Sequence, residues 1–113
     1  MGKKSRTKGA TFENMVCGIL RPISQGVCRN LDQYQKSSGR DLSNFPYLSI
    51  QCKNHKNITK GKIMTALAEA ENAADDEYKI PVAVTKSDRG PTLITLELDW
   101  FVTLWQWLED GDL

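Results

Sequence analysis

Residues 47–53 read Tyr-Leu-Ser-Ile-Gln-Cys-Lys, and this stretch decides how the chain folds. Apolar and polar side chains alternate along it, and the polar positions are Ser49, Gln51 and Lys53. Such alternation is typical of a β-strand whose two faces meet different surroundings. Because residues i and i+2 of a strand share a face, the pattern also predicts that Gln51 and Lys53 project side by side.

The segments after this strand predict a helix and two further strands. Residues 60–75 have apolar positions at helical spacing, and Thr59 is the expected N-cap. Residues 80–86 are largely apolar, as in a strand buried inside a sheet. A turn that contains Gly and Pro then leads into a strand over residues 92–98, and the two strands are expected to form a hairpin.

Two more helices are expected near the ends of the chain. Over residues 7–20 apolar side chains recur every three or four positions, and Glu13 lies beside that stripe. Residues 100–108 predict a short helix for which Asp99 is the N-cap. Residues 27–36 mix apolar and polar side chains and indicate one more strand.

This order of elements predicts a single-domain α/β fold, with a mixed β-sheet flanked by helices. A chain of 113 residues has the size of one domain. Residues 9–108 are expected to form it. A basic flexible arm at residues 1–8 precedes the domain, and an acidic tail at residues 109–113 follows it.

Composition excludes several classes of protein. No stretch approaches the ~18 apolar residues that a membrane-spanning helix needs, and no apolar run follows the basic start as in a signal peptide. We therefore expect a soluble protein of the cytoplasm with no membrane partner. The three cysteines are an odd number without compact spacing, which argues against a disulfide framework.

The net charge of +1 conceals a strong asymmetry along the chain. Residues 1–62 carry twelve Lys and Arg against three acidic residues, a net charge of +9. Residues 63–113 carry three against eleven, a net charge of −8. One basic face for a polyanion and one acidic face turned away from it would explain this asymmetry, as would two unrelated solvated faces.

Short motifs in a fixed order carry a family resemblance. Gly39-Arg40-Asp41-Leu42, followed by Ser49-Ile50-Gln51-Cys52-Lys53, resembles the PD-(D/E)xK nuclease signature. The opening Lys8-Gly9-Ala10-Thr11-Phe12-Glu13 is similar to the first helix of archaeal Holliday-junction resolvases and of related phage nucleases. The resemblance spans about residues 8–98 and implies a restriction-endonuclease-like core. For a phage-encoded protein, the location would be the host cell cytoplasm.

The resemblance implies a metal-dependent, structure-selective endonuclease that hydrolyses phosphodiester bonds in branched DNA such as Holliday junctions. Its catalytic residues would be Glu13, Ser38, Asp41, Gln51 and Lys53. The metal, Mg²⁺ or Mn²⁺, would be held by Glu13, Asp41, Gln51 and the backbone carbonyl of Cys52. Hard cations prefer such oxygen ligands. Lys53 would position the attacking water and stabilise negative charge on the phosphate.

Two positions depart from the signature. Arg40 stands where the signature has proline, and Gln51 stands where it has an acid. Glutamine offers a carbonyl oxygen but lacks the charge that attracts Mg²⁺ and lowers the pKa of a bound water. Three explanations stay open: a natural variant that still cuts, a nuclease fold that only binds nucleic acid, and an engineered change from acid to amide.

DNA is the expected partner because basic residues cluster near these motifs. They are Lys3, Lys4, Arg6, Lys8, Arg40, His55, Lys56, Lys60 and Lys62. Phosphate contacts of this kind give affinity that falls steeply with salt, and they carry no sequence information. Since no recognition-helix motif is present, we expect recognition by DNA shape.

Three further interpretations concern smaller groups of residues. Cys52 and His55 offer half of a zinc site, as in a small zinc-binding adaptor, although structural zinc normally has four ligands. Glu69 and Glu71 are expected on an acidic, solvent-exposed face of the second helix. The aromatic residues of the last helix lie on more than one side of it and cannot all be buried. This predicts a homodimer formed through that helix and the hairpin.

Overall fold

The computed structural model describes residues 3–24, 26, 28–29, 42–43, 47–74 and 79–111. Its elements, in chain order, are α1 Lys3–Leu20, β1 Cys28–Arg29, β2 Leu42–Ser43, β3 Leu48–His55, α2 Lys60–Ala73, β4 Ile80–Ser87, β5 Leu93–Thr95 and α3 Leu98–Glu109. The alternating strand, the buried strand after the second helix and all three helices are confirmed. Of the strand expected over residues 27–36, the described part is β1.

Three strands pair in the order β3-β4-β5, so β4 lies between two neighbours. β3 and β4 are parallel, with Leu48 opposite Ile80 and Gln51 opposite Ala83. Parallel neighbours need a crossover connection, which α2 supplies. β4 and β5 are antiparallel, which confirms the expected hairpin, and β1 and β2 form a separate antiparallel pair. The protein is therefore an α/β domain with a mixed sheet flanked by helices, as predicted.

One face of β3 and β4 packs against α1 and α3. The buried apolar cluster on this face consists of Phe12, Val16, Cys17, Leu42, Ile50, Cys52, Ile80, Val82 and Val84. Trp100, Leu104 and Trp107 of α3 are partly buried against it. Removal of these side chains from water is the main stabilising contribution to this half of the molecule.

The opposite face of the sheet lies under α2. The buried residues of this helix are Ala66, Ala70 and Ala73, whose methyl groups allow a helix to lie close to a sheet. The Ser49 hydroxyl of β3 donates a hydrogen bond of 2.7 Å to the carbonyl oxygen of Ala70. At the start of α2, the amide of Lys62 donates to the Thr59 hydroxyl at 3.2 Å, which confirms the expected N-cap.

Helix α1 is longer than the sequence pattern predicts. It begins at Lys3, so residues 3–8 of the expected arm belong to the helix. Lys and Arg are good helix formers, and this segment contains no residue that breaks a helix. In the predicted apolar stripe, Met15 and Ile19 are 40% and 57% exposed, because α1 turns the neighbouring stripe that contains Glu13 toward the sheet.

The prediction for the start of the last helix is wrong by two residues. α3 begins at Leu98, which ends β5 earlier than expected, and its N-cap is Glu97. Asp99 lies instead in the first turn, where a carboxylate is favourable at the positive end of the helix dipole. No helix in the described part of the chain has the length and apolar character needed to cross a bilayer.

Tyr47 leads into β3 in an unusual backbone conformation. Its φ of 70° lies in the left-handed region, which costs a non-glycine residue roughly 1–2 kcal/mol. Two contacts hold this conformation. The amide of Ile80 donates to the Tyr47 carbonyl oxygen at 2.7 Å, and the Tyr47 ring centre lies 5.9 Å from that of Trp107. Tyr47 therefore links the start of β3 to both β4 and α3.

Candidate functional site

Gln51 and Lys53 lie together on the face of β3 that α2 covers. Gln51 is 5% exposed, while Lys53, two residues nearer the end of the strand, is partly exposed. The structure thus confirms that the two motif residues share one face. It also defines what surrounds them, because α2 crosses over this face on its way to β4.

Glu69 of α2 contacts both motif residues. The Gln51 Nε2 donates to the Glu69 Oε2 at 3.0 Å. The Lys53 Nζ lies 3.0 Å from the same oxygen and 3.3 Å from the Glu69 Oε1. The side chains of Lys53 and Glu69 are 27% and 41% exposed, so this ion pair lies at the edge of the layer between helix and sheet.

Glu69 is partly exposed, but the expected solvent-exposed face does not account for its contacts with Gln51 and Lys53. Glu71 is exposed, as predicted. The difference follows from the close approach of α2 to the sheet, which brings the side of the helix next to Ala70 over Gln51 and Lys53. The sequence carries a signal for the buried side of α2, since Ala66 and Ala70 are one helical turn apart, but none for which neighbouring acidic residue lies over β3.

Glu13 and Cys52 lie on the other side of the strand. Glu13 is 6% exposed on α1, and the Cys52 side chain belongs to the apolar cluster against which α1 packs. Because Ile80 donates to the carbonyl of Tyr47, the odd-numbered residues of β3 direct their backbone groups toward β4. The carbonyl of Cys52 consequently points away from β4, in the plane of the sheet.

The remaining predicted catalytic residues, Ser38 and Asp41, lie outside the described residues, as does Arg40. Among the expected DNA contacts, Lys3, Lys4 and Arg6 are placed on the backbone of α1. Their side chains lie outside the described part of the structure. The contacts of the predicted site are therefore defined at Gln51 and Lys53.

A basic cleft adjoins the Lys53–Glu69 pair. It has a volume of about 420 Å³ and is lined by Lys53, His55, Thr59, Gly61, Lys62 and Thr65. The cleft lies where β3 ends and α2 begins. The Ile58 amide donates to the Ser87 hydroxyl at 2.9 Å, which fastens the intervening loop to the end of β4.

The electrostatic environment of the cleft is visible at His55, the single histidine of the chain. Partial burial is the largest influence that lowers the pKa of His55 below 6.5, followed by the positive charges of Lys62, Lys53 and Lys8, against the opposing effect of Asp88. Several lysines therefore act on one imidazole, so the cleft is a region of positive potential that suits an anion.

Lys8 reaches this region from α1. Its Nζ lies 2.6 Å from the Asp88 Oδ1 in the turn after β4, and this hydrogen bond is the main reason that the pKa of Asp88 is lowered. Lys56 lines a second opening of about 520 Å³ beside Asp88 and Arg89. Thus α1, the loop after β3 and the turn after β4 all place basic groups at the same end of the sheet.

Strand geometry contradicts the zinc interpretation. Cys52 and His55 are three residues apart on β3, so their side chains point to opposite faces. Cys52 lies in the apolar cluster, whereas His55 is exposed at the basic cleft. Within the described ranges, no group of three or more His, Cys, Asp and Glu residues is arranged to hold a metal ion.

The donor set beside Lys53 nevertheless fits a hard cation. The Gln51 amide and the Glu69 carboxylate supply oxygen atoms, the ligands that Mg²⁺ and Mn²⁺ accept. The Lys53 ammonium group would compete with such an ion for the carboxylate. Gln51 and Glu69 are therefore the oxygen donors that the structure places beside Lys53, at the margin of a cleft that attracts anions.

The site lies at the carboxyl end of two parallel strands, where open α/β sheets commonly bind their ligands. An amide, a carboxylate and an ammonium group meet there at the margin of a basic cleft. Comparison of the chain with known protein families, with curated proteins and with solved structures finds no match.

Proposed function

We propose that this chain is a metal-dependent, structure-selective DNA endonuclease that hydrolyses phosphodiester bonds in branched DNA such as Holliday junctions. The observation that carries the proposal is the position of Lys53. It shares a strand face with Gln51 and also lines the basic cleft. A phosphate held in that cleft would lie next to the motif residues. The restriction-endonuclease-like character of the core is part of the same proposal.

The basic cleft would bind the DNA backbone. Lys53 and Lys62 supply charge, and the first amides of α2 supply further donors at the positive end of the helix dipole. Lys8 and Lys56 extend the basic surface to either side of the cleft. Contacts to phosphates alone would select DNA by the spacing and direction of its backbones, which is how a branched structure differs from a linear duplex.

In the hydrolysis, a water loses a proton as its oxygen bonds to phosphorus, one P–O bond to a sugar breaks, and the released sugar oxygen takes up a proton. The Lys53 ammonium group would donate hydrogen bonds to the phosphate and stabilise the charge that builds up on it. Gln51 and Asp41 are the residues proposed to hold Mg²⁺ or Mn²⁺, with the Cys52 carbonyl in the plane of the sheet beside them. Glu13, which α1 places on the other side of β3, would reach the ion past the edge of the strand. The ion, when bound, would lower the pKa of a water and offset negative charge on the phosphate.

A second candidate is a DNA-binding protein that does not cut. It is favoured by the neutral amide of Gln51, which lies within hydrogen-bonding distance of Glu69 and adds no charge to a metal site. The basic cleft would serve this function equally well. Cleavage, not binding, therefore separates the two candidates.

The test is incubation of labelled four-way junction, fork, linear duplex and single-stranded DNA with Mg²⁺ or Mn²⁺. The natural chain is compared with Gln51→Glu and Lys53→Met. We expect cleavage of branched DNA that Gln51→Glu increases and Lys53→Met abolishes. Cleavage by Gln51→Glu alone would identify an inactivated nuclease. Binding without cleavage by both the natural chain and Gln51→Glu would refute the enzyme and leave the binding protein.

We further propose that the active form is a homodimer. The outer side of α3 and the neighbouring Ile94 of β5 expose large apolar side chains, which on α3 are Leu98, Phe101, Val102, Trp105 and Leu108. A monomer rarely exposes so many together. A two-fold dimer would present two sites to a symmetric junction.

Sedimentation of Phe101→Glu tests the dimer, since a charge within this surface would prevent association. Gln106→Glu, which adds the same charge on a different side of α3, is the matched control. We expect the natural chain and Gln106→Glu to sediment as dimers and Phe101→Glu as a monomer. A natural chain that remains monomeric at high micromolar concentration, with and without DNA, would exclude the dimer.

A further inference from the structure

We infer that Glu69 supplies the negative charge that the metal site lacks at Gln51, and that it is a ligand of the divalent cation. The biological role of this ligand rests on the proposed nuclease function, but its test does not, since metal binding is measured directly. The metal-binding carboxylate would come from α2, whereas the sequence motif places it on β3.

The Glu69 carboxylate contacts two of the motif residues. Its Oε2 lies 3.0 Å from both the Gln51 Nε2 and the Lys53 Nζ. An ion held by the Gln51 carbonyl would therefore have the Glu69 oxygens beside it after a rotation of the amide or of the carboxylate. Carboxylate and amide oxygens together form a donor set that Mg²⁺ and Mn²⁺ accept.

The position of Glu69 is fixed by the packing of α2. Ala66 and Ala70, on either side of it in the helix, are fully buried, and the Ser49 hydroxyl bonds to the Ala70 carbonyl at 2.7 Å. The backbone of Glu69 is therefore held over this face of β3, and its carboxylate lies within reach of Gln51 and Lys53.

Charge gives a second, independent reason. Glu69 adjoins a cleft whose lysines attract phosphate, and a carboxylate there repels phosphate. A residue that only oriented Lys53 would weaken DNA binding at this place. A divalent cation bound to Glu69 reverses the sign of the local charge and turns the repulsion into attraction.

The test is titration of the full chain with Mn²⁺ alone, by calorimetry and by electron paramagnetic resonance of the free ion. We expect Glu69→Gln to weaken Mn²⁺ binding about 10- to 100-fold, on the scale of other lost metal-site interactions. Glu71→Gln removes the same charge from the exposed side of α2 and is the matched control, with affinity unchanged. Lys53→Met should strengthen Mn²⁺ binding, because it removes the competing ammonium group.

A double variant separates a ligand from a residue that acts through Lys53. If Glu69 is the ligand, Glu69→Gln weakens Mn²⁺ binding in the Lys53→Met background as well. If Glu69 only orients Lys53, Glu69→Gln has no further effect in that background. Thermal melts confirm that each variant is folded. Equal Mn²⁺ affinity of Glu69→Gln and the natural chain, or no Mn²⁺ binding by the natural chain at millimolar concentration, would overturn the inference.

The outcomes also separate this inference from the proposed function. Mn²⁺ binding that depends on Glu69, in a chain whose Gln51→Glu variant cuts no DNA, would retain the metal site and reject the nuclease. Cleavage that Lys53→Met abolishes but Glu69→Gln leaves unchanged would retain the nuclease and reject Glu69 as its ligand.

Discussion

Replacing Lys62 with glutamine should make DNA binding weaker and less sensitive to salt. Lys62 lines the basic cleft, where its Nζ donates to the Asn57 carbonyl at 2.9 Å. It is also the largest of the charge effects that lower the pKa of His55. An ammonium group held in this position would neutralise one phosphate. Without the Lys62 charge, the counterions bound at that phosphate should no longer be released when the DNA binds.

The size of the effect follows from that single contact. Each neutralised phosphate of duplex DNA contributes about 0.9 to the slope of log K against log salt concentration, so Lys62→Gln should lower the slope by about 0.9. Between about 50 and 200 mM salt, the natural chain should then lose roughly three- to fourfold more affinity than the variant.

Fluorescence anisotropy with labelled junction DNA, without divalent cations, measures this slope. Arg21→Gln is the control, because Arg21 is an exposed cation at the far end of α1 from Lys8. It should leave the slope unchanged. An unchanged slope for Lys62→Gln, or an equal decrease for Arg21→Gln, would show that the cleft is not where the DNA backbone binds.

Two further predictions concern pH and packing. The imidazole signal of His55 in proton NMR should titrate below pH 6.5, and Lys62→Gln should move the midpoint of this titration upward. A midpoint at or above 6.5 in the natural chain would contradict the environment described for His55. Because the folded pKa lies below the unfolded one, protonation favours the unfolded chain, so stability should fall as the pH drops from 6.5 through the folded pKa. Ala70→Leu should cost about 1–3 kcal/mol in urea unfolding because it overfills the layer under α2. Ala68→Leu, on the exposed side, should cost little, and equal losses would refute the close packing.

The sequence predicts most of the fold because its signals there are local. Alternation over residues 47–53 sets the faces of β3, the apolar run at 80–86 sets the buried β4, and Thr59 caps α2 through a hydrogen bond within one turn. Each of these features depends on side chains close together in the chain. Composition and spacing are sufficient to recognise them.

The role of Glu69 was not predictable in the same way. Glu69 and Glu71 lie on either side of Ala70, and both are acidic residues on a helix with a buried alanine face. Which of them meets β3 depends on how α2 crosses over the sheet, a long-range property of the chain. The spacing of the alanines shows that one side of α2 is buried but does not show which flank lies over the motif.

The prediction for the start of the last helix is wrong for a different reason, which is local. Asp99 is a common N-cap residue, whereas Glu97, the observed N-cap, makes no side-chain cap hydrogen bond. Tertiary packing decides the matter, because it places Trp100 of α3 against the apolar cluster. The helix therefore begins two residues earlier than capping preference alone indicates.

The backbone conformation of Tyr47 has a consequence for the chemistry of the whole strand. Its carbonyl sets the pairing of β3 with β4 through Ile80, in the order that places Gln51 opposite Ala83. A slip of one residue would exchange the two faces of β3. Ile50 and Cys52 would then lie under α2, and the motif side chains would enter the apolar cluster. A substitution at Tyr47 that loosens this pairing would therefore displace Gln51 and Lys53 from the face under α2, although it changes neither residue.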